Sequence, residues 1–295
     1  MLDRASTFSH PEIVRLLQTA YVPVAIDQAY ERRQKDNEGE FYRKIASQGP
    51  RKPGEGTTQG HYLASPDGTL LAYRNHRDPE IVANLLGEIL AEFEAPSAKA
   101  IEAGQIDPKW GYTAPKGGLV VRVHSRVLGG YDEPKNERER LFQAGIGRDN
   151  LWIRADERAS LMNGVFEESL LERIARFHLV DNTRGEPPMW DPEEVLMISL
   201  EQDRDHFSGQ VHLKTDSGDR EFKAALYGYL ESDEDEITRF DFVVHGFFRG
   251  DGQFTRGAPE GDFPLGIQFE LADGSDIADN IPPQGSRGWL EGYLD

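Results

Sequence analysis

The chain has 295 residues, with 33 Lys and Arg against 52 Asp and Glu, so its formal net charge is −19 at pH 7. That length fits about two domains of roughly 100–200 residues, and 38% hydrophobic with 10% aromatic residues is too rich for a disordered chain. The acidity argues against a nucleic-acid partner, which needs clustered Lys and Arg, and the absence of cysteine excludes disulfides, thiolate metal sites and cysteine nucleophiles.

No apolar run approaches the ~20 residues of a membrane span, and no basic segment followed by an apolar one opens the chain. The expectation is a soluble, cytoplasmic protein. In chain order, 10–20 reads as a helix, with Ser9 as N-cap, Pro11 at the first position, and Ile13, Leu16, Leu17 and Ala20 at helical spacing. Residues 21–26 (Tyr-Val-Pro-Val-Ala-Ile) read as a short strand whose Pro23 points to an edge. Residues 28–47 carry a sparse apolar stripe and a Gly39 interruption, predicting a broken helix. Residues 49–56, with Pro50 and Pro53, read as a loop. A hairpin follows, 61–64 and 69–73 about the turn Ser65-Pro66-Asp67-Gly68. Asp78 caps a predicted helix to about Phe93, with Ile81, Val82, Leu85, Leu86, Ile89 and Leu90 on one stripe.

Residues 95–116 hold Pro96, Pro108 and Pro115 without periodicity and read as a connector. Beyond it, 119–128 alternates as a strand, 132–143 as a short helix and 166–179 as an amphipathic helix. Five further strands are predicted at 195–200, 206–215, 221–230, 237–248 and 265–271. Their spacing predicts an antiparallel sheet or partial barrel with flanking helices. The acidic run 232–236 is a solvated hairpin turn, since it lacks calcium-loop spacing.

Residues 1–94 resemble a thioredoxin-like domain. The resemblance rests on Met1 and Arg4 ahead of Phe8, Pro11-Glu12 with Val14, Leu16 and Leu17, the strand 21–27, the turn Ser65-Pro66-Asp67-Gly68 and the helix 78–93. It implies a truncated thioredoxin-like fold of the α/β class, joined to an α+β domain at 117–295. The family's Cys-x-x-Cys and first strand would fall before Met1, and 57–60 (Thr-Thr-Gln-Gly) holds no proline where a cis-proline is usual. Thiol exchange needs a thiolate, so the resemblance implies fold without the usual activity.

Hairpin register defines a candidate site in the second domain. A two-residue turn at 216–219 pairs Leu213 with Phe222, Val211 with Ala224 and Gly209 with Leu226 on an apolar face. The other face then gathers His206, His212, Lys223, Tyr227 and Tyr229, joined from the next strand by Arg239, Asp241 and His245. A solvated face of an antiparallel sheet has the same alternation. Metal binding is not expected: His206 and His212 lie ~20 Å apart along one strand, and His212 and His245 are separated by two strands with Lys223 between. If chemistry occurs here, His206 or His245 is the general base and Asp241 its orienter. The second dense segment is 176–190, where His178, Asp181, Asn182, Arg184 and Glu186 could line a pocket with Trp190, or simply end a helix.

No phosphate-loop spacing and no Gly-x-Ser-x-Gly elbow is present, and no cofactor is expected. The leading expectation is a redox-inactive thioredoxin-like protein whose β-rich domain binds a protein or small molecule. An enzyme using His, Asp and Tyr of that domain, and a thiol oxidoreductase whose redox segment lies outside this chain, remain open.

Overall fold

After the hairpin strands β1 (His61–Ala64) and β2 (Leu70–Arg74), the alternation of apolar and polar residues through 119–271 forms β3 (Leu119–Val127), β4 (Ile146–Ile153), β5 (Val195–Asp203), β6 (His206–Lys214), β7 (Glu221–Asp233), β8 (Glu236–Arg249) and β9 (Asp262–Leu271). These seven build one antiparallel sheet in the order β4-β3-β9-β8-β7-β6-β5. The computed structural model describes residues 7–51, 56–94, 104–107, 109–110, 113–287 and 290–294. The chain divides into two compact units, Leu2–Tyr112 and Thr113–Asp295.

In the first unit, Pro11 opens α1 (Pro11–Thr19). Its N-cap is His10 rather than Ser9, because 7–9 already form a 3-10 turn. The predicted strand at 21–26 does not form. Pro23 lacks a donor, and among the described residues no strand pairs with this segment. Val22 and Val24 are 89% and 71% exposed. The helix predicted over 28–47 is two helices, α2 (Gln28–Glu31) and α3 (Asn37–Gln48), and the break is at 32–36 rather than at Gly39. Gly39 lies in the first turn of α3, where its amide donates to the Asp36 cap at 2.9 Å. A Cβ there would sit 2.3 Å from the Gln34 carbonyl oxygen, so the tight entry requires glycine.

The hairpin forms as β1 (His61–Ala64) and β2 (Leu70–Arg74). Helix α4 (Pro79–Glu92) follows, with Asp78 accepting from the amides of Glu80 and Ile81. Ile13, Leu16, Leu63, Val82 and Leu86 make this unit's core. The connector predicted at 95–116 falls largely outside the described residues, as do Met1 and Arg4.

In the second unit the inward face of the sheet carries the main core. Phe222, Phe240, Phe263 and Phe269 are fully buried, and Phe242 stacks on Phe269 with centroids 4.0 Å apart. Such stacking adds about 0.5–1.5 kcal/mol beyond area burial. Helix α5 (Glu137–Gln143) buries no residue; the covering layer includes α6 (Ala155–Met162), α7 (Glu168–Arg173) and the chain from 174 to 190. The helix predicted over 166–179 is shorter: after α7 the chain widens into a π turn, Ile174–His178, where the Leu179 amide donates to the Ile174 carbonyl. The last helix is α8 (Leu290–Leu294). The sheet is open, since β4 and β5 are its two edges. No helix among the described residues is long and apolar enough to cross a membrane.

Candidate functional site

The register derived for β6, β7 and β8 is the one observed. Leu213 pairs with Phe222, Val211 with Ala224 and Gly209 with Leu226, and Phe242 and Val244 stand opposite Gly228 and Leu226. The turn at 216–219 is a four-residue loop rather than a two-residue one. The Thr215 amide donates to the Arg220 carbonyl at 3.0 Å, and Gly218 takes a φ of 71°. Both turns give the same pairing, so the faces are unaffected.

The outward face is a grid. One row runs Asp203, His206, Tyr229, Asp241 across four strands; the next runs Glu201, Ser208, Tyr227, Val243, Gln268. A third row includes Gln210, Ala225, His245 and Gly266; a fourth includes His212, Lys223 and Phe247. Neighbours within a row are ~4.8 Å apart and rows ~6.6 Å apart. The first two rows line a concavity of about 790 Å³.

Several of the sequence-predicted residues meet there. His206 and Tyr229 have ring centroids 4.4 Å apart. Arg239 lies 3.9 Å over the Tyr229 ring, and it donates to Asp241 at 3.1 Å and to Glu231 at 2.8 Å. Those two carboxylates, Glu231 first, hold the guanidinium's pKa above its ordinary value. Tyr227 presents its ring to solvent, 59% exposed.

His212 and His245 lie outside the concavity. His212 bonds Glu221 at 2.7 Å, and the hydrogen bonds from Lys223 and His212 lower the Glu221 pKa to about 2. Lys223 faces Phe247 rather than His245, whose neighbour is Ala225. No imidazole is bonded to Asp241. Its carboxylate accepts from Arg239 and from the Leu271 amide at 3.2 Å, and His245 is two rows away, ~13 Å. The expected general-base pairing is therefore not assembled. Among the described residues, no three His, Asp or Glu side chains are placed to hold a metal ion.

Of the segment 176–190, on the opposite side of the sheet, His178, Asp181, Asn182 and Trp190 are buried, whereas Glu186 is exposed and pairs with Arg287 at 3.1 Å. His178 reaches the Tyr293 hydroxyl at 2.7 Å and the Asp149 carboxylate at 3.1 Å, with all three buried. Desolvation, with the Asp149 charge second, pushes the Tyr293 pKa well up. Asp181 pairs with Arg184 at 2.6 Å and accepts from Thr183. Asn182 accepts from the Ser125 hydroxyl. Trp190 is in the core, its indole donating to the Leu179 carbonyl at 2.9 Å. These side chains are taken up by one another, and the cavity they border, beside Asp181, Pro187 and Pro188, is only about 10 Å³.

Sequence reasoning missed Glu201 and Asp203 on β5 and Gln268 and Glu270 on β9, which complete the concavity. The signal was available in Asp203-Arg204-Asp205-His206, a two-residue hairpin loop that carries β5 past Leu200. Comparison with protein-family models, with curated proteins and with solved structures finds no match to this chain.

Proposed function

We propose that the chain is a binding protein, and that the concave outward face of the sheet in the second unit takes its ligand. One observation carries this reading. Two tyrosines and several polar side chains with spare hydrogen-bonding capacity converge in a concavity of about 790 Å³, on a face that elsewhere ties its charges into pairs such as Glu221 with Lys223 and Arg249 with Asp262. A volume of that size suits a small molecule or a short peptide segment. The first unit, on its resemblance, is a thioredoxin-like module, and with no cysteine anywhere in the chain it acts by contact rather than by thiol exchange.

A ligand-observed NMR screen of cationic, neutral polyol and anionic small molecules tests the reading. Binders are expected with the native chain and lost in Tyr227→Ala, while the melting temperature stays put. Absence of binders in every class, or binders indifferent to Tyr227→Ala, would overturn it.

A further inference from the structure

We propose that the concavity takes an organic cation, a guanidinium or primary ammonium group; this rests on the binding role proposed above. The sign of the ligand follows from the lining. Glu201, Asp203, Asp241 and Glu270 face it with Arg239 as the one cationic side chain among the described lining residues. That guanidinium is already neutralised, because Asp241 and Glu231 both accept from it. Among the described residues, Glu201, Asp203 and Glu270 make no ion pair; Arg122, opposite Glu270 on β3, gives its guanidinium to Asp273 and Asp279, so the three carboxylates leave a surplus of negative charge. An anionic ligand meets repulsion on entry, and a cation is drawn in.

Shape and chemistry add to the sign. Tyr227 stands one row along from Tyr229 and offers an open ring face, with the apolar Val243 beside it. Aromatic faces ringed by carboxylates attract cations through the ring quadrupole. The protein supplies its own example within the site: the Arg239 guanidinium lies on Tyr229 between two carboxylates. Tyr227 has no resident cation among the described residues; Glu201 lies two strands away in its row on one side, and Glu270 two strands and one row away on the other. A ligand guanidinium stacked on Tyr227 therefore sits in the field of both carboxylates, and a second cationic group on the same ligand reaches one of them. The tyrosine and the carboxylates come from four strands of a rigid sheet, so the site is formed before the ligand arrives.

Isothermal titration of the full chain with agmatine, with an acetylated Arg-Gly-Arg amide, with sorbitol and with citrate tests the proposal. Agmatine is expected to bind. Affinity should fall about tenfold or more in Glu201→Gln/Glu270→Gln, since hydrogen bonds to charged groups are the strong ones. It should fall about two- to fivefold in Tyr227→Leu, and it should weaken as salt rises. The control Asp216→Asn/Glu260→Gln removes two exposed charges at the other end of the sheet and should stay within about twofold of the parent, a margin well inside the effect expected at the site. Tighter binding of the peptide than of agmatine assigns the cation to a basic peptide; equal affinity assigns it to a small free amine or guanidine. Binding of sorbitol or citrate without agmatine overturns the cation and leaves the binding role standing. No binding by any probe removes both. An equal loss in the control variant reduces the effect to bulk charge and overturns the proposal.

Discussion

The two faces of the seven-stranded sheet use the same side chains to opposite ends. On the inward side, Arg173 spends its guanidinium on Glu157 at 2.7 Å and on the Tyr293 carbonyl at 2.6 Å, both buried, and on the Leu294 carbonyl at 2.8 Å, half-buried. On the outward side, Arg239 lies half-exposed on a tyrosine between two carboxylates. His178 and Tyr293 bond each other in the core, whereas His206 and Tyr229 pack with their rings tilted by 55° in an open concavity. A buried polar group that loses its partner has nothing to replace it, while an exposed one falls back on water. The inward set therefore fixes the last helix against the sheet, and the outward set is free to engage a ligand.

The comparison breaks first at Arg173. Arg173→Ala removes the fully buried cation from Glu157, leaving it the partly exposed Arg154 guanidinium at 3.4 Å, and should cost about 3 kcal/mol, read from denaturant midpoints. A loss near that of a surface pair would mean the inward network is not structural. Glu221 is a buried carboxylate on the outward face. Its pKa is about 2 in the folded chain against an ordinary 4.5, so its stabilising contribution is complete above pH 4.5 and is lost as pH falls from 4.5 through 2. The stability gap between the parent and Glu221→Gln should accordingly shrink between pH 5 and pH 2; a constant gap would contradict the assignment.

A smaller effect of opposite sign is expected at the hairpin beside the concavity. Arg204 sits at a φ of 57°, a left-handed conformation that costs a side chain about 1–2 kcal/mol, part of it returned by glycine's larger unfolded-state entropy. Arg204→Gly should raise stability by about 0.5 kcal/mol, and a lower melting temperature would refute it. The smallest stability change belongs to Arg239→Ala. An exposed ion pair contributes little to stability, and the variant should keep its melting temperature while altering whatever binds in the concavity.

The outward face was legible from sequence because strand register is set by the apolar pattern, and Phe240, Phe242, Val244 and Phe248 admit one alignment that buries them all. Strand β4 was not legible. Its inward Asp149 breaks the alternation, because that carboxylate accepts from the Asn150 amide at 2.9 Å and the Gln284 amide at 2.8 Å and faces His178. Those partners lie up to 135 residues away, beyond the reach of local pattern. The converse failure is 21–26, where β-branched residues promise a strand but no partner is present to make one. Propensity alone does not form a ladder.

The most direct measurement is NMR of ring-labelled tyrosine during titration with agmatine. Tyr227 and Tyr229 report from the concavity, and Tyr293 reports from the sealed cluster on the other side of the same sheet. The account predicts saturable shifts of the Tyr227 and Tyr229 rings with Tyr293 unmoved. Shifts centred on Tyr293, or saturable shifts that leave Tyr227 and Tyr229 in place, would contradict it.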